Sequence, residues 1–279
     1  MRVEIAHVTR LEYDADVYES VMDVRLGPRT DAHQRWERFD LRVRPIAATR
    51  RYTDGFGNVA HLITAAKSHR ELEVASRGEV DTLLEDPFAP PPGRVEQLTP
   101  GERTDALHPS PLIPAVPGFL TVAQPFAVRA AADAFGAAKE LMHWVNTELE
   151  YRPDVTDVCT TAADLLESRS GVCQDLAHLL IGLCRSIGIP ARYVSGYIVE
   201  GEGTGAPARG AGASHAWAEC WSATHGWRGF DPTNDLLAGE HHVKMAVGRD
   251  YRDVSPTRGT FRGAAQERLS VKVTARAVA

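Results

Sequence analysis

No stretch of the 279 residues is apolar for long enough to cross a bilayer, so no membrane-spanning helix is expected. The opening residues MRVEIAHVTRLEYDADV carry charges throughout and lack the apolar segment of a secretory leader. Runs of basic residues are missing too. The 31 Lys and Arg stand against 37 Asp and Glu, and the formal charge of −6 speaks against a nucleic-acid partner. The expected setting is the cytoplasm, with neither membrane nor nucleic acid as a partner and the oligomeric state left open. Cysteine is scarce: four in a chain this long make no disulfide framework. Cys159, Cys173, Cys184 and Cys220 include no C-x-x-C pair, which argues against a zinc site. The adjacent His241 and His242 are the remaining candidates for metal. Neighbours on a strand point to opposite faces, so they are read as surface residues. No metal and no cofactor is expected.

What the chain does have is an ordinary globular balance, 43% hydrophobic and 24% charged, in a length that suits one or two domains. Its most organised stretch is ESRSGVCQDLAHLLIGLCRSIGIPARYVSGY, Glu167 to Tyr197. Leu176, Leu179, Leu180, Leu183 and Ile187 recur at helical spacing and predict a helix from Cys173 to Ile187. Gly188 suits its C-terminal cap, and Pro190 bars its continuation. Cys173 then sits in the first turn, where unpaired N–H groups and the positive end of the helix dipole favour a thiolate. Position alone does not separate an activated thiol from a small buried hydrophobe.

Further on, SHAWAECW from Ser214 and GWRGFDPTN from Gly226 read as short strands, with His225-Gly226 at the turn between them. A hairpin of this kind sets His215 and Asp231 side by side at one end. A thiol nucleophile needs a base, and the base needs a third group to fix its tautomer. Cys173, His215 and Asp231 supply these roles in that order. Each residue taken singly has a structural reading, as a core histidine or as a turn aspartate before proline.

The segments GVCQDLAHLL, GIPARYVSGY, SHAWAECW and GWRGFDPTND resemble the core of the bacterial transglutaminase-like (papain-like cysteine hydrolase) superfamily, over Thr160 to Asn234. YTDGFGNVAHLI, Tyr52 to Ile63, resembles the β-rich domain that precedes this core in bacterial members, and VGRDYRDVSPTRGTF, Val247 to Phe261, resembles the family's ending. The resemblance implies a Cys-His-Asp triad at Cys173, His215 and Asp231. It also offers Tyr151 as an aromatic donor supporting an oxyanion, against the simpler reading of a core tyrosine with a satisfied hydroxyl.

The remaining chain supports an α+β fold. Residues 1–86 alternate with period two, as in Val3, Ile5, Leu11 and Tyr13, and carry turn signals at Asp54-Gly55 and Gly57-Asn58. This predicts an N-terminal β-sandwich-like domain. Residues 87–125 are proline-rich and read as an extended connector, a poor helix or central strand. Residues 126–279 form the expected transglutaminase-like/papain-like core of helices packed on an antiparallel sheet. Its Ala127 to Glu148 stretch is helical, a T-x-x-D capping box begins at Thr161, and ERLSVKVTARA near the end adds a strand. Asp175 is expected to complement the helix dipole or to orient a loop beside the nucleophile, without a catalytic role; His178 is expected to be a partnered packing histidine, and Arg192 to support the fold electrostatically. The glycine-rich GEGTGAPARGAGA after Glu200 reads as a rim loop, a gate or a passive connector.

The expected function is thiol-dependent acyl transfer or hydrolysis on peptide or glutamine-type amide bonds through a thioester. The partner would be a protein or peptide substrate, with either water or an amine as acceptor. Two alternatives stand beside it: a small-molecule Cys-His-Asp acyltransferase, and a binding module that keeps the fold without turnover.

Overall fold

The computed structural model describes residues 1–199, 209–210 and 212–278. Six antiparallel strands open the chain: β1 (Arg2–Val17), β2 (Glu19–Gly27), β3 (Gln34–Arg44), β4 (Ala48–Thr53), β5 (Val59–Ala65) and β6 (His69–Thr82). The period-two pattern works as predicted, since Val3, Ile5, Leu11 and Tyr13 of β1 all turn inward and are buried. The β4–β5 turn forms where Asp54 accepts from the N–H groups of Phe56 and Asn58, with Gly57 at φ 75°.

The connector departs from expectation, because it contains α1 (Pro100–Leu107) and α2 (Pro117–Ala123). Proline disfavours a helix interior, but at the first position its missing N–H costs nothing. Both helices begin on proline, and α1 adds a reciprocal capping box between Thr99 and Glu102. The long alanine-rich helix is likewise two, α3 (Ala127–Ala132) and α4 (Ala134–Glu148), split where Asp133 caps the N–H of Gly136. A two-residue strand β7 (Glu150–Tyr151) follows, then α5 (Ala162–Ser168), capped by Thr161 and Asp164 as the T-x-x-D motif predicts, and β8 (Ser170–Gly171).

The predicted central helix is α6 (Cys173–Ser186), buried on every side from Asp175 to Arg185, with Gly188 at φ 80° just beyond it. Phe119 of α2 lies so close that a Cβ at Gly182 would stand 2.8 Å from its ring. Arg185 is also buried and donates to carbonyls of Ala106, His108, Ala191 and Arg249, fastening the connector to the core. Among the described residues no helix is long and apolar enough to cross a membrane.

Beneath α6 lies an antiparallel sheet of β9 (Ala191–Ile198), β10 (His215–Ser222), β11 (Gly226–Asp231), β12 (Leu236–Ala238) and β13 (His242–Gly248), in the order β12-β11-β10-β9-β13. Ala216, Ala218, Cys220 and Phe230 pack toward the helices. The opposite parity of β10 carries His215, Trp217 and Glu219 on its other face. β13 is an edge strand, and two amide side chains from the sandwich cover it. Gln34 exchanges hydrogen bonds of 2.7 and 2.9 Å with Lys244, and Asn58 makes two of 2.8 Å with Val247. Each amide stands in for a missing strand partner.

After α7 (Tyr251–Val254) the chain returns to the sandwich as β14 (Thr257–Arg262) on β2 and β15 (Glu267–Val278) on β1. Residues from Thr257 onward, expected within the 126–279 core, therefore complete the two four-stranded sheets of the N-terminal unit. The alternation of ERLSVKVTARA specifies a strand but not its partner. β1 had an open edge for it.

Candidate active site

Cys173 is the first residue of α6 and is half-buried. The residue before it is held by Asp175, which Thr156 holds in turn. Asp175 accepts from the N–H of Val172 at 2.9 Å and from the Thr156 hydroxyl at 2.6 Å. The Asp175 carboxyl is nearly inaccessible, and burial raises its pKa. Of its two readings, these contacts match the one in which it orients the turn beside Cys173. The short parallel pairing of β7 with β8 sets Tyr151 opposite Gly171, two residues before Cys173. Burial and the nearby Cys173 both raise the Tyr151 phenol.

His215 opens β10 and Asp231 closes β11, so the antiparallel register brings them to the same end of the sheet. Their side chains are completely buried, and His215 Nε2 lies 2.7 Å from Asp231 Oδ2. Burial works against the imidazolium, but the Asp231 contact and the nearby Cys173 outweigh it and raise the His215 pKa to about 10. Nδ1 is the ring nitrogen not engaged by Asp231. It is buried and, among the described residues, makes no hydrogen bond of ordinary geometry, with Cys173 nearby. Gly210, at φ 93°, lies directly against it: a Cβ there would stand 2.4 Å from Nδ1. Arg209 and Gly210 are described, whereas most of the predicted 200–214 loop lies outside the described residues.

Asp231 is held by more donors than the sequence reading supplied. Oδ1 accepts from the N–H groups of Thr233 (3.0 Å) and Asn234 (3.3 Å). Oδ2 accepts from the Asn234 side chain at 2.8 Å and lies 3.3 Å from His242 Nε2. Burial alone would raise this carboxyl, yet the histidine contacts hold it well below the usual carboxylate range. Asn234 also exchanges two hydrogen bonds with the backbone of Arg209, whose guanidinium stands 5.4 Å over the Tyr151 ring. Under the pair, Trp217 occupies space left by two glycines. A Cβ at Gly196 would come 2.5 Å from its ring, and one at Gly229 3.0 Å from its Nε1.

His242 corrects the surface reading of the histidine pair. Adjacent residues do face opposite ways, so His241 is only half-buried while His242 is buried against Asp231. His215, Asp231 and His242 present donor atoms within 4.8 Å of one another, the one group of metal-ligand type among the described residues. The 2.7 and 3.3 Å separations are those of hydrogen bonds converging on one carboxylate oxygen.

Other sequence candidates fall outside this cluster. His178 is fully buried, accepts from the N–H of Tyr251 at 3.1 Å, and has its pKa lowered to about 3 by burial. Arg192 pairs with Glu219 at 2.7 Å and stacks over Trp227 at 4.0 Å, a structural role as expected. Cys184 and Cys220 are buried against each other with sulfurs 3.6 Å apart, and Cys159 is exposed.

Residues 121–232 match the model of the transglutaminase-like superfamily, and residues 3–81 that of the bacterial transglutaminase-like N-terminal region. A protein of Mycobacterium leprae is 33% identical, over 98% of this chain and 97% of its own length. One from Mycobacterium tuberculosis is 31% identical, over 92% and 87%. Among solved structures, a candidate cysteine protease from Cytophaga hutchinsonii superimposes with a TM-score of 0.73 at 22% identity, covering 99% of this chain and 90% of that one. This likeness is one of fold.

Proposed function

Since the chain belongs to the transglutaminase-like superfamily, we propose that it is a thiol-dependent acyl-transfer enzyme acting on amide bonds of a protein or peptide. The observation that carries this reading is the completely buried His215–Asp231 pair beside a cysteine at a helix N-terminus. His215 Nδ1 takes the Cys173 proton, and the sulfur attacks the amide carbonyl. Asp231 holds Nε2–H and stabilises the imidazolium that results. The N–H of Cys173, free of any intrahelical partner, receives the oxyanion, with Tyr151 at the same side. Collapse breaks the C–N bond, the imidazolium protonates the departing amine, and a thioester remains. His215 then deprotonates the acceptor. Water releases a carboxylate; a primary amine gives a new amide.

Mass spectrometry of glutamine-containing peptides incubated with the protein, with and without a primary amine, tests this. The expected products are cleaved or deamidated peptides, or amine adducts when the amine is supplied. Peptides of every sequence left unchanged, with no acyl adduct on the protein, would contradict it.

A further inference from the structure

The Asp231 oxygen facing His215 is shared. Oδ2 meets His215 Nε2 at 2.7 Å, Asn234 Nδ2 at 2.8 Å and His242 Nε2 at 3.3 Å. An ionised carboxylate only accepts, so His242 presents a proton on Nε2. Its other nitrogen, Nδ1, is buried without a partner among the described residues. A bare ring nitrogen tolerates that better than a charged N–H, and burial correspondingly lowers the His242 pKa. His242 is therefore a neutral donor to the same oxygen that steadies the His215 imidazolium.

Sheet order brings His242 to that oxygen. β9 runs between β10 and β13, and its residue opposite His215 is Gly196. Trp217 fills the space over that glycine and stands edge-on to His242 at 5.1 Å, while the His215 and His242 rings lie 6.3 Å apart between centroids. Among the described residues, titratable and charged groups surround His242 from three directions. His215 and Glu219 come from β10, Asp231 from β11, His241 and Lys244 from β13, and His33 from the sandwich. The last, with Glu219 and Lys244, borders a cavity of about 30 Å³ beside His242.

We propose that His242 is a positioning residue that sets the proton affinity of His215 by competing with it for Asp231. This rests on the Cys173–His215 chemistry proposed above. With the whole carboxylate charge to itself, His215 would hold its proton too firmly to return it to a leaving amine. A second donor spreads that charge and brings the imidazolium nearer the proton affinity that acid–base catalysis needs. Asp231 stays in place without His242, because Thr233 and Asn234 still hold it. The effect is on proton affinity more than on geometry.

The test is the pH profile of Cys173 alkylation by iodoacetamide, which needs no substrate. His242→Phe and His242→Leu both remove the donor, and whichever folds serves. The expected result is an upper inflection, where His215 loses its proton, displaced upward by about one pH unit. His242→Gln, which restores an N–H, should return it toward the wild-type position. A profile unchanged in the donor-less variant, or a shift that glutamine does not reverse, would overturn the inference. Wild-type protein in which Cys173 shows no acid-stable reactivity would instead overturn the underlying reading of the triad, and the inference with it.

Discussion

Asp231→Asn is expected to lower kcat on an amide substrate by about a thousandfold while leaving the fold intact. The amide has the right shape and the wrong donors. If its NH2 takes the Oδ1 position, it faces the N–H groups of Thr233 and Asn234. If it takes the Oδ2 position, it faces His215 Nε2 and donates to it. The second placement moves the His215 proton to Nδ1, the nitrogen that must accept from Cys173. In a serine triad the same change costs about 10⁴. A thiol ionises more readily than a hydroxyl, so the loss here is about one order smaller. Steady-state kinetics on the wild type and variant measure it. Undiminished turnover would mean that another residue orients His215.

Glu219→Ala is expected to destabilise the protein by about 3–5 kcal/mol, the cost of breaking a buried ion pair from one side. Glu219 is 2% exposed and is bonded to Lys244 and to Arg192. Alanine leaves Arg192 without its carboxylate and Lys244 with Asp31 alone, at 2.7 Å. The pH dependence follows from the same contacts. Burial raises this carboxyl, but Lys244 and Arg192 hold it well below its ordinary range. A depressed folded pKa gives stability that is present above the unfolded value, about 4.3, and is lost as pH falls below it. Urea unfolding at neutral pH measures the loss directly. Repeating it near pH 3 should show wild type and Glu219→Gln drawing together. A gap of constant size down to that pH would mean that the Glu219 charge is not the stabilising element.

Much of the site is written locally in the chain. Cys173 follows from the leucine spacing of one helix. His215 and Asp231 follow from a single hairpin, whose short-range register leaves little freedom. What the sequence hides depends on long-range placement. His242 reaches Asp231 through the place that β13 takes on the far side of β9. A pair of adjacent histidines on a strand carries no mark of this. Asn234 lay inside the DPTND motif, but its hold on Arg209 spans 25 residues. Local composition also misled in the connector: Pro100 and Pro117 read as helix breakers and prove to be helix starters. The destination of β15 was equally hidden, since alternation specifies a face and not a neighbour.

The account turns on whether Cys173 is an activated thiol, and the chain provides its own controls. Cys184 and Cys220 are buried, and burial with the neighbouring Cys184 raises the Cys220 thiol well above its usual range. Cys159 is exposed but has no histidine beside it among its hydrogen-bond partners. Only Cys173 combines a helix N-terminus with an adjacent imidazole, both of which favour a thiolate. Brief iodoacetamide labelling at mildly acidic pH, followed by peptide mapping, should therefore find Cys173 modified well ahead of the other three. His215→Ala should remove most of that lead. Labelling that favours the exposed Cys159, or that His215→Ala leaves untouched, would contradict the account.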